Sequence, residues 1–519
     1  METEKSNPWL IAFAVSLATF MEVLDTTITN VSLSHIGGSL AASQEESTWV
    51  MTSYLVSNAI VLPLSGWMAG VIGRKRYFML CIGFFTLASF FCGAATSLWM
   101  IIMFRLLQGI AGGGLQPTQQ AILLDAFPIE KRAQVFGLTA ITMIVAPVIG
   151  PTLGGFITDN FSWRWIFFIN VPVGAFALFL VNRVYHEHHD AEAAKKNFSV
   201  DYLGFALVAL GIGAIQIVLD KGQQDDWFGS NFITSMTVMG VSMLAFAVWW
   251  LLRQKNPLVE LRLFKIISFR MACILIFFMG FALYSSSILL PLLVQSYFGY
   301  DATLSGLILS PGALAIIVIM PLATKVIQRF QPKYLIAFGF FLCGMGMFYT
   351  MHFSPAANLT TFISMRILTV AGLPFLFVPI STMAFSDVPR ELNNKASALY
   401  ALFRNLGGSF GIALIATYLF RHQQIWQTYL SGGVTPYNIQ TQQSLAQHAA
   451  ALVSAGVSQA AAPAQAQAQL YSQLQQQAGF MAYVDSFQAM SWVMLLLIPV
   501  ALLMPSVKPK KDAAPVEAH

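Results

Sequence analysis

Glu22 and Asp25 stand three residues apart in the stretch MEVLDTTITN (21–30), inside a run from Trp9 to Leu33 that is otherwise apolar and long enough to cross a membrane. A charge at the centre of a bilayer costs about 2.5–3.5 kcal/mol on insertion scales. Helical spacing puts both carboxylates on one face, and that face must turn toward a cavity rather than lipid. Desolvation and a like-charged neighbour each favour the neutral form of a carboxyl group. A pair placed there could take up a proton and release it when the cavity opens to a different bath. The bland alternative is a structural pair satisfied by Thr26 and Thr29 or by a permanent arginine. Asp25 is the better candidate for the proton; Glu22, a turn deeper, is as well suited to meeting a cationic substrate.

Arg105 lies mid-span in RLLQGIAGGGLQP. A buried arginine needs an anion or several carbonyls, and the acids of the first span are the natural candidates. Such a pair can couple proton binding to a rearrangement, or simply pin two helices. The fifth span contains APVIGPTLGG, with Pro147, Gly150, Pro151, Gly154 and Gly155. Glycines four apart let helix backbones touch, and neighbours can cover the bends that prolines make. Between spans 2 and 3, GWMAGVIGRKR forms a short basic turn. There Arg74 is placed to pair with Asp125 at the inner end of span 4 and hold a gate shut, unless the basic residues serve topology alone. Tyr54, Asn58, Tyr284, Tyr400 and Phe403 are candidate lining for a substrate cavity.

The elements that must position these residues are membrane helices. Of 519 residues, 56% are hydrophobic and only 10% charged, against about 25% charged in soluble domains; mean hydropathy is +0.66. Apolar runs of spanning length fall near 9–33, 47–72, 77–96, 98–125, 133–158, 165–184, 201–220, 231–252, 269–298, 304–324, 334–353, 358–386, 396–421 and 487–506. The expected organisation is an N-terminal six-helix bundle (1–184), a cytoplasmic loop (185–200) and two inserted helices (201–252). Helices 9–13 (253–421), an outer segment (422–486), a last helix (487–506) and a cytoplasmic tail (507–519) follow. The first run is too long for a signal peptide and reads as an uncleaved span. Of the 28 lysines and arginines, 22 fall in segments on one side, three on the other (Arg164, Lys221, Arg421) and three within spans (Arg105, Arg366, Arg404). The positive-inside rule then puts both termini in the cytoplasm. The basic residues cluster in these short loops, so the net charge of +5 does not point to nucleic acid. Cys81, Cys92, Cys273 and Cys343 all lie in apolar runs without metal or redox spacing, and read as packing.

The chain repeats itself. Arg105, Pro128 and Glu130 recur 261 positions later as Arg366, Pro389 and Glu391, while Pro63, Leu64 and Lys75 match Pro321, Leu322 and Lys333 at an offset of 258. Two six-span halves with spans 7 and 8 inserted between them imply a transporter with its site at the interface of the halves.

The motifs RLLQGIAGG, APVIGPTLGG, GWMAGVIGRK and LDTTITNVSL resemble those of the major facilitator superfamily. With WRWIFFINVPVG (163–174) the chain is similar to the fourteen-span drug:proton antiporter branch. IQIVLDKGQQDDWF (215–228) and NPLVELRLFK (256–265) resemble the EmrB-type inner-membrane pumps of Gram-negative bacteria. The resemblance implies an all-α fold of two pseudo-symmetric six-helix bundles plus two inserted helices, and it makes the glycine–proline motif of span 5 the mark of an exporter. It also implies a periplasmic adaptor protein and an outer-membrane channel as partners, docking at the long external segment 422–486, whose Gln and Ala favour helix with little apolar face; disorder is the alternative. The superfamily's gate motif usually has an aspartate where this chain has Gly70, so only Gly66, Gly73, Arg74 and Lys75 carry over. HEHHD (186–190) lacks the spacing of a zinc-protease helix and reads as a solvated loop; no metal is expected.

The function expected is proton-coupled export of amphipathic or lipophilic compounds by alternating access, with the proton gradient in place of a cofactor. A nutrient or organic-ion importer on the same scaffold is the alternative. A membrane enzyme would need a convergent His/Asp or Ser/His site, and the sequence offers none.

Overall fold

The computed structural model describes residues 7–128, 131–186, 201–255, 257–354, 357–435 and 437–504. Among them, fourteen helices are long and apolar enough to cross a membrane, and none of the described residues forms a strand. They are α1 (Pro8–Val31), α2 (Trp49–Ile72), α3 (Arg74–Gly93), α4 (Leu98–Ala126), α5 (Arg132–Asn160), α6 (Trp165–Val184) and α7 (Tyr202–Lys221). After these come α8 (Asn231–Arg253), α9 (Ile267–Phe298), α10 (Thr303–Val326), α11 (Pro332–His352), α12 (Leu359–Ala384), α13 (Arg390–Ser431) and α14 (Ala462–Leu502). Each overlaps one of the fourteen runs read from the sequence, α13 and α14 extending well beyond theirs.

Local chemistry sets the helix ends. The side chains of Ser97, Asp201, Ser230, Asp301 and Asn358 accept backbone N–H groups in the first turns of α4, α7, α8, α10 and α12, satisfying donors a helix start leaves unpaired. Gly73 alone separates α2 from α3 at φ +92°, a conformation that a side chain disfavours. α4 breaks at Gly113–Gly114 and α12 at Gly372, the corresponding place in the second half.

The halves are α1–α6 and α9–α14. α5 lies along both α1 and α10, and its counterpart α13 lies along both α9 and α2. These two helices therefore carry most of the contact between bundles. The inserted α7 packs on α2 and α8, while α8 has little contact beyond α7 and its neighbouring turns.

The segment 422–486 departs from the expected loop. α13 continues unbroken to Ser431, a further helix runs from Ile439 to Ser454, and α14 starts at Ala462, well before the membrane run. Gln and Ala are strong helix formers, and the external helix gains support by packing on α14. Glu130 and residues 187–190 of the histidine-rich run lie outside the described residues.

Candidate functional site

Asp25 is buried, only 1% exposed. Arg105 Nη1 of α4 lies 2.6 Å from its Oδ2. Its Oδ1 accepts from Asn170 Nδ2 of α6 at 2.6 Å and from Gln108 Nε2 at 3.1 Å. The arginine is held in turn: Nη1 also donates to Gln108 Oε1 (2.8 Å), Nε donates to the Val50 carbonyl (3.3 Å), and the guanidinium lies 4.4 Å from the Tyr54 ring centroid. Asn170 is fixed by a 3.0 Å bond to Ser89 on α3. A carboxylate with three donors and a guanidinium with several acceptors is what makes a buried ion pair tolerable.

Glu22 has a separate set of partners. Tyr54 Oη donates to Oε1 at 2.9 Å, Asn58 Nδ2 donates to the same oxygen at 3.3 Å, and Gln116 Nε2 donates to Oε2 at 2.6 Å. The carbonyl of Gln116 accepts from Arg404 Nη2 on α13. A hydrogen-bonded chain thus runs from the first helix of one half into the other half. The threonines do not satisfy the acids. Thr26 and Thr29 donate to the backbone carbonyls of Glu22 and Asp25, as hydroxyls four residues on in a helix commonly do.

The glycine motifs set the register of these side chains. A Cβ on Gly113 would lie 2.7 Å from the Asn58 carbonyl oxygen, and one on Gly112 would lie 2.7 Å from Tyr54 Oη. The glycine face of α4 therefore seats directly on α2, bringing Tyr54 and Asn58 to Glu22. On α5, a Cβ at Gly150 would lie 2.7 Å from Thr27 Cβ and one at Gly154 would lie 3.1 Å from the Ile28 carbonyl. α1 is held backbone to backbone beside its acids. Pro147 and Pro151 lie inside α5 without ending it; Gly155 is buried on the same helix.

The second half repeats the arginine without the acid. Moving 261 positions on from Arg105 reaches Arg366, and the same step from Asp25 and Glu22 reaches Ser286 and Leu283. Arg366 Nη1 and Nη2 donate to the hydroxyls of Ser286 and Ser287, each at 3.0 Å. Both carboxylates of the central site come from the first half.

At the end of the bundle that carries most basic residues, Arg74 pairs with Asp125, whose Oδ1 also accepts from Asn393 Nδ2 of α13 at 3.3 Å. Lys75 donates to the Asn182 carbonyl at 2.8 Å. Arg132 Nη1 donates to the Phe385 carbonyl of the second half at 3.2 Å, and Phe136 stacks on Phe385. A Cβ on Gly66 would lie 2.7 Å from the Asn394 carbonyl oxygen; Gly66 is where α2 touches α13. The two halves are closed together at this basic end.

Of the cavity candidates, Tyr54 and Asn58 bond Glu22, and Tyr284 lies against Gly408, one turn from Arg404. Tyr400 bonds Ser381 at 2.8 Å within the second half, and Phe403 packs on Phe264, with ring centroids 5.3 Å apart. Sequence reasoning missed Gln108, Gln116, Asn170 and Arg404. The signal that was available is polarity: each is an amide or cation inside a spanning run.

The sequence profile of the Major Facilitator Superfamily matches residues 15–412. The chain belongs to the major facilitator superfamily. It is 35% identical over 439 residues to the multidrug export protein EmrB of Escherichia coli K12, covering 84% of this chain and 85% of that one. It is 32% identical over 494 residues to the fatty acid resistance protein FarB of Neisseria gonorrhoeae, covering 95% of each. Among solved structures, the proton:xylose symporter XylE superposes with a TM-score of 0.59 at 14% identity over 97% of both chains. The human organic anion transporter MFSD10 gives 0.61 at 12% identity, over 95% of this chain and 99% of that one. These two likenesses are of fold. Within the superfamily, the superposition covers a chain that carries two helices more than the two six-helix halves.

Proposed function

We propose that this protein is a proton-coupled exporter of amphipathic or lipophilic compounds, working by alternating access in a bacterial inner membrane with both termini cytoplasmic. The observation that carries the reading is the chain Glu22–Gln116–Arg404, which joins a titratable acid on α1 to a helix of the opposite half. Protonating Asp25 weakens the bonds that fix α1 to α4 and α6, while Glu22 one turn away carries the link through Gln116 to α13. A hydrogen bond to a charged group is worth roughly 1.5–3 kcal/mol, enough to bias two arrangements of packed bundles. Asp25 is the proton carrier in this scheme and Arg105 the cation paired with it between turnovers. Each entering proton supplies about 2.3 kcal/mol per 100 mV of potential, besides the pH gradient. The names of the relatives, a multidrug exporter and a fatty acid resistance protein, support export over import.

A periplasmic adaptor and outer-membrane channel belong to the same reading. The outer segment exposes Tyr429 at the end of α13, Tyr437 in the turn that follows and Ile439 at the start of the external helix, large side chains suited to a protein partner.

The test is proton movement in proteoliposomes on adding a panel of hydrophobic cations, acids and neutral drugs. Substrate-driven proton movement that disappears in Asp25→Asn supports the assignment. Movement that persists in that variant overturns Asp25 as carrier, and accumulation in the importing direction favours the nutrient-importer alternative.

A further inference from the structure

Arg404 is a buried cation, 2% exposed, at the junction of the two halves. Of the other buried arginines in the spans, Arg105 meets a carboxylate, and Arg366, whose Nε is also unpartnered, meets two serine hydroxyls. Among the described residues no carboxylate lies within ion-pair distance of Arg404. Its described bond is a neutral one, from Nη2 to the carbonyl of Gln116, and its Nε has no partner. On the facing helix α4, Gln120 lies one turn from Gln116 and so on the same face. It is 3% exposed, and its Nε2 donor is also unpartnered. A buried donor without an acceptor is destabilising by roughly 1–3 kcal/mol, more when charged. Two such donors, one charged, on the two helices that meet at the interface make a place prepared for an acceptor that the chain does not supply.

The charge distribution selects the acceptor. Glu22 and Asp25, the acids buried within the described spans, are on the first half; the second half holds Arg366 and Arg404 buried in its spans. Gln116 already lends its carbonyl to Arg404 and its amide to Glu22, so a ligand acid that takes the guanidinium frees that carbonyl. Charge-assisted bonds from a guanidinium to a carboxylate are stronger and more directional than bonds to an amide carbonyl, which favours the exchange. The Tyr284 ring beside Gly408 adds an aromatic surface for the apolar part of the same ligand.

We propose that Arg404, with Gln116 and Gln120, receives the ionised acid group of amphipathic cargo, so that this transporter binds organic anions through its second half. The proposal rests on the export reading only for the direction in which the cargo moves.

The experiment uses the full chain in lipid nanodiscs and three probes of equal chain length: dodecanoate, methyl dodecanoate and dodecyltrimethylammonium. Equilibrium binding is expected to favour dodecanoate over its ester by about ten-fold or more, the scale of one charge-assisted bond. Arg404→Gln is expected to remove that preference while leaving the ester unchanged, and Arg404→Lys to restore part of it. Arg366→Gln, with its guanidinium on serines, is expected to leave the preference intact. Equal binding of acid and ester to the unaltered protein overturns the proposal, as does an Arg404→Gln variant that keeps the preference or loses all three probes alike. Folding of each variant is checked by its thermal unfolding in the same nanodiscs. Failure of the export reading has a different signature: dodecanoate binds with the stated preference, yet no probe drives proton movement in proteoliposomes.

Discussion

Asp25 and Ser286 occupy equivalent places in the two halves of the chain, 261 residues apart, and each faces the same arginine of its own half. Arg105 grips the carboxylate at 2.6 Å, whereas Arg366 donates to the serine hydroxyl at 3.0 Å. Two bundles of common architecture thus differ at their centres, one holding a carboxylate–guanidinium pair and the other a guanidinium on serine hydroxyls. A two-state rocking of the halves needs one responsive side only.

Asp25→Asn keeps the size of the side chain and removes its charge. Substrate-driven proton movement in proteoliposomes is expected to fall to background, with substrate binding retained. Glu22→Gln keeps one oxygen to accept from Tyr54 and sets its amide nitrogen against that of Gln116, losing that bond; it is nevertheless expected to leave measurable coupling.

Arg105→Ala leaves Asp25 buried without its cation. Breaking one side of such a pair costs about 3–5 kcal/mol, which should appear as a marked drop in thermal unfolding temperature. The double variant Asp25→Asn/Arg105→Gln carries no uncompensated charge and is expected to recover most of that loss. If the double variant unfolds as early as Arg105→Ala alone, the pair is not the source of the instability.

Much of this arrangement is legible in the sequence, because lipid makes the rules strict. A spanning run has to be helical, an acid within it has to face inward, and Arg105 and Asp25 are the complementary charges available to each other there. Arg74 and Asp125 could be matched because both end helices on the basic side. The partners of Glu22 were harder to see. Arg404 is 288 residues from Gln116, and which face of α13 meets α4 depends on how the bundles dock, which the spacing of polar residues along one helix does not encode. Phe403 illustrates the same limit: one residue from Arg404, it turns to Phe264 instead of the centre. In the outer segment the Gln and Ala composition favours helix, but hydropathy gives no bound for it, and the helices run on from the apolar runs of α13 and α14.

Gly150→Ala places a methyl group against Thr27 beside Asp25. Overpacking of this kind typically costs about 1–3 kcal/mol, and here it also pushes α1 from its register. Lower thermal stability together with reduced proton coupling is expected. Thr27→Ala, which removes the hydroxyl closest to the new methyl, should return part of both; an unaffected Gly150→Ala protein would show that α1 and α5 do not need this close approach.

Asp125→Ala removes the acceptor shared by Arg74 and Asn393 at the basic end. Partly exposed charge contacts contribute about 0.2–1 kcal/mol, so stability should change little. The population of the closed basic end should fall, raising the alkylation rate of an Asn394→Cys probe by roughly two- to five-fold for a bias of that size. An unchanged rate would mean that Arg132 and the Gly66 contact suffice to keep the halves together.

The unbroken passage of α13 and α14 out of the apolar region has a mechanical consequence. An α-helix rises about 1.5 Å per residue, so the part of α14 ahead of the membrane run forms a stiff arm on the order of 35 Å long. A tilt of about ten degrees in the second bundle would sweep the tip of such an arm through roughly 6 Å. Anything resting on that tip would register each turnover as displacement, with no ligand or charge having to travel to it.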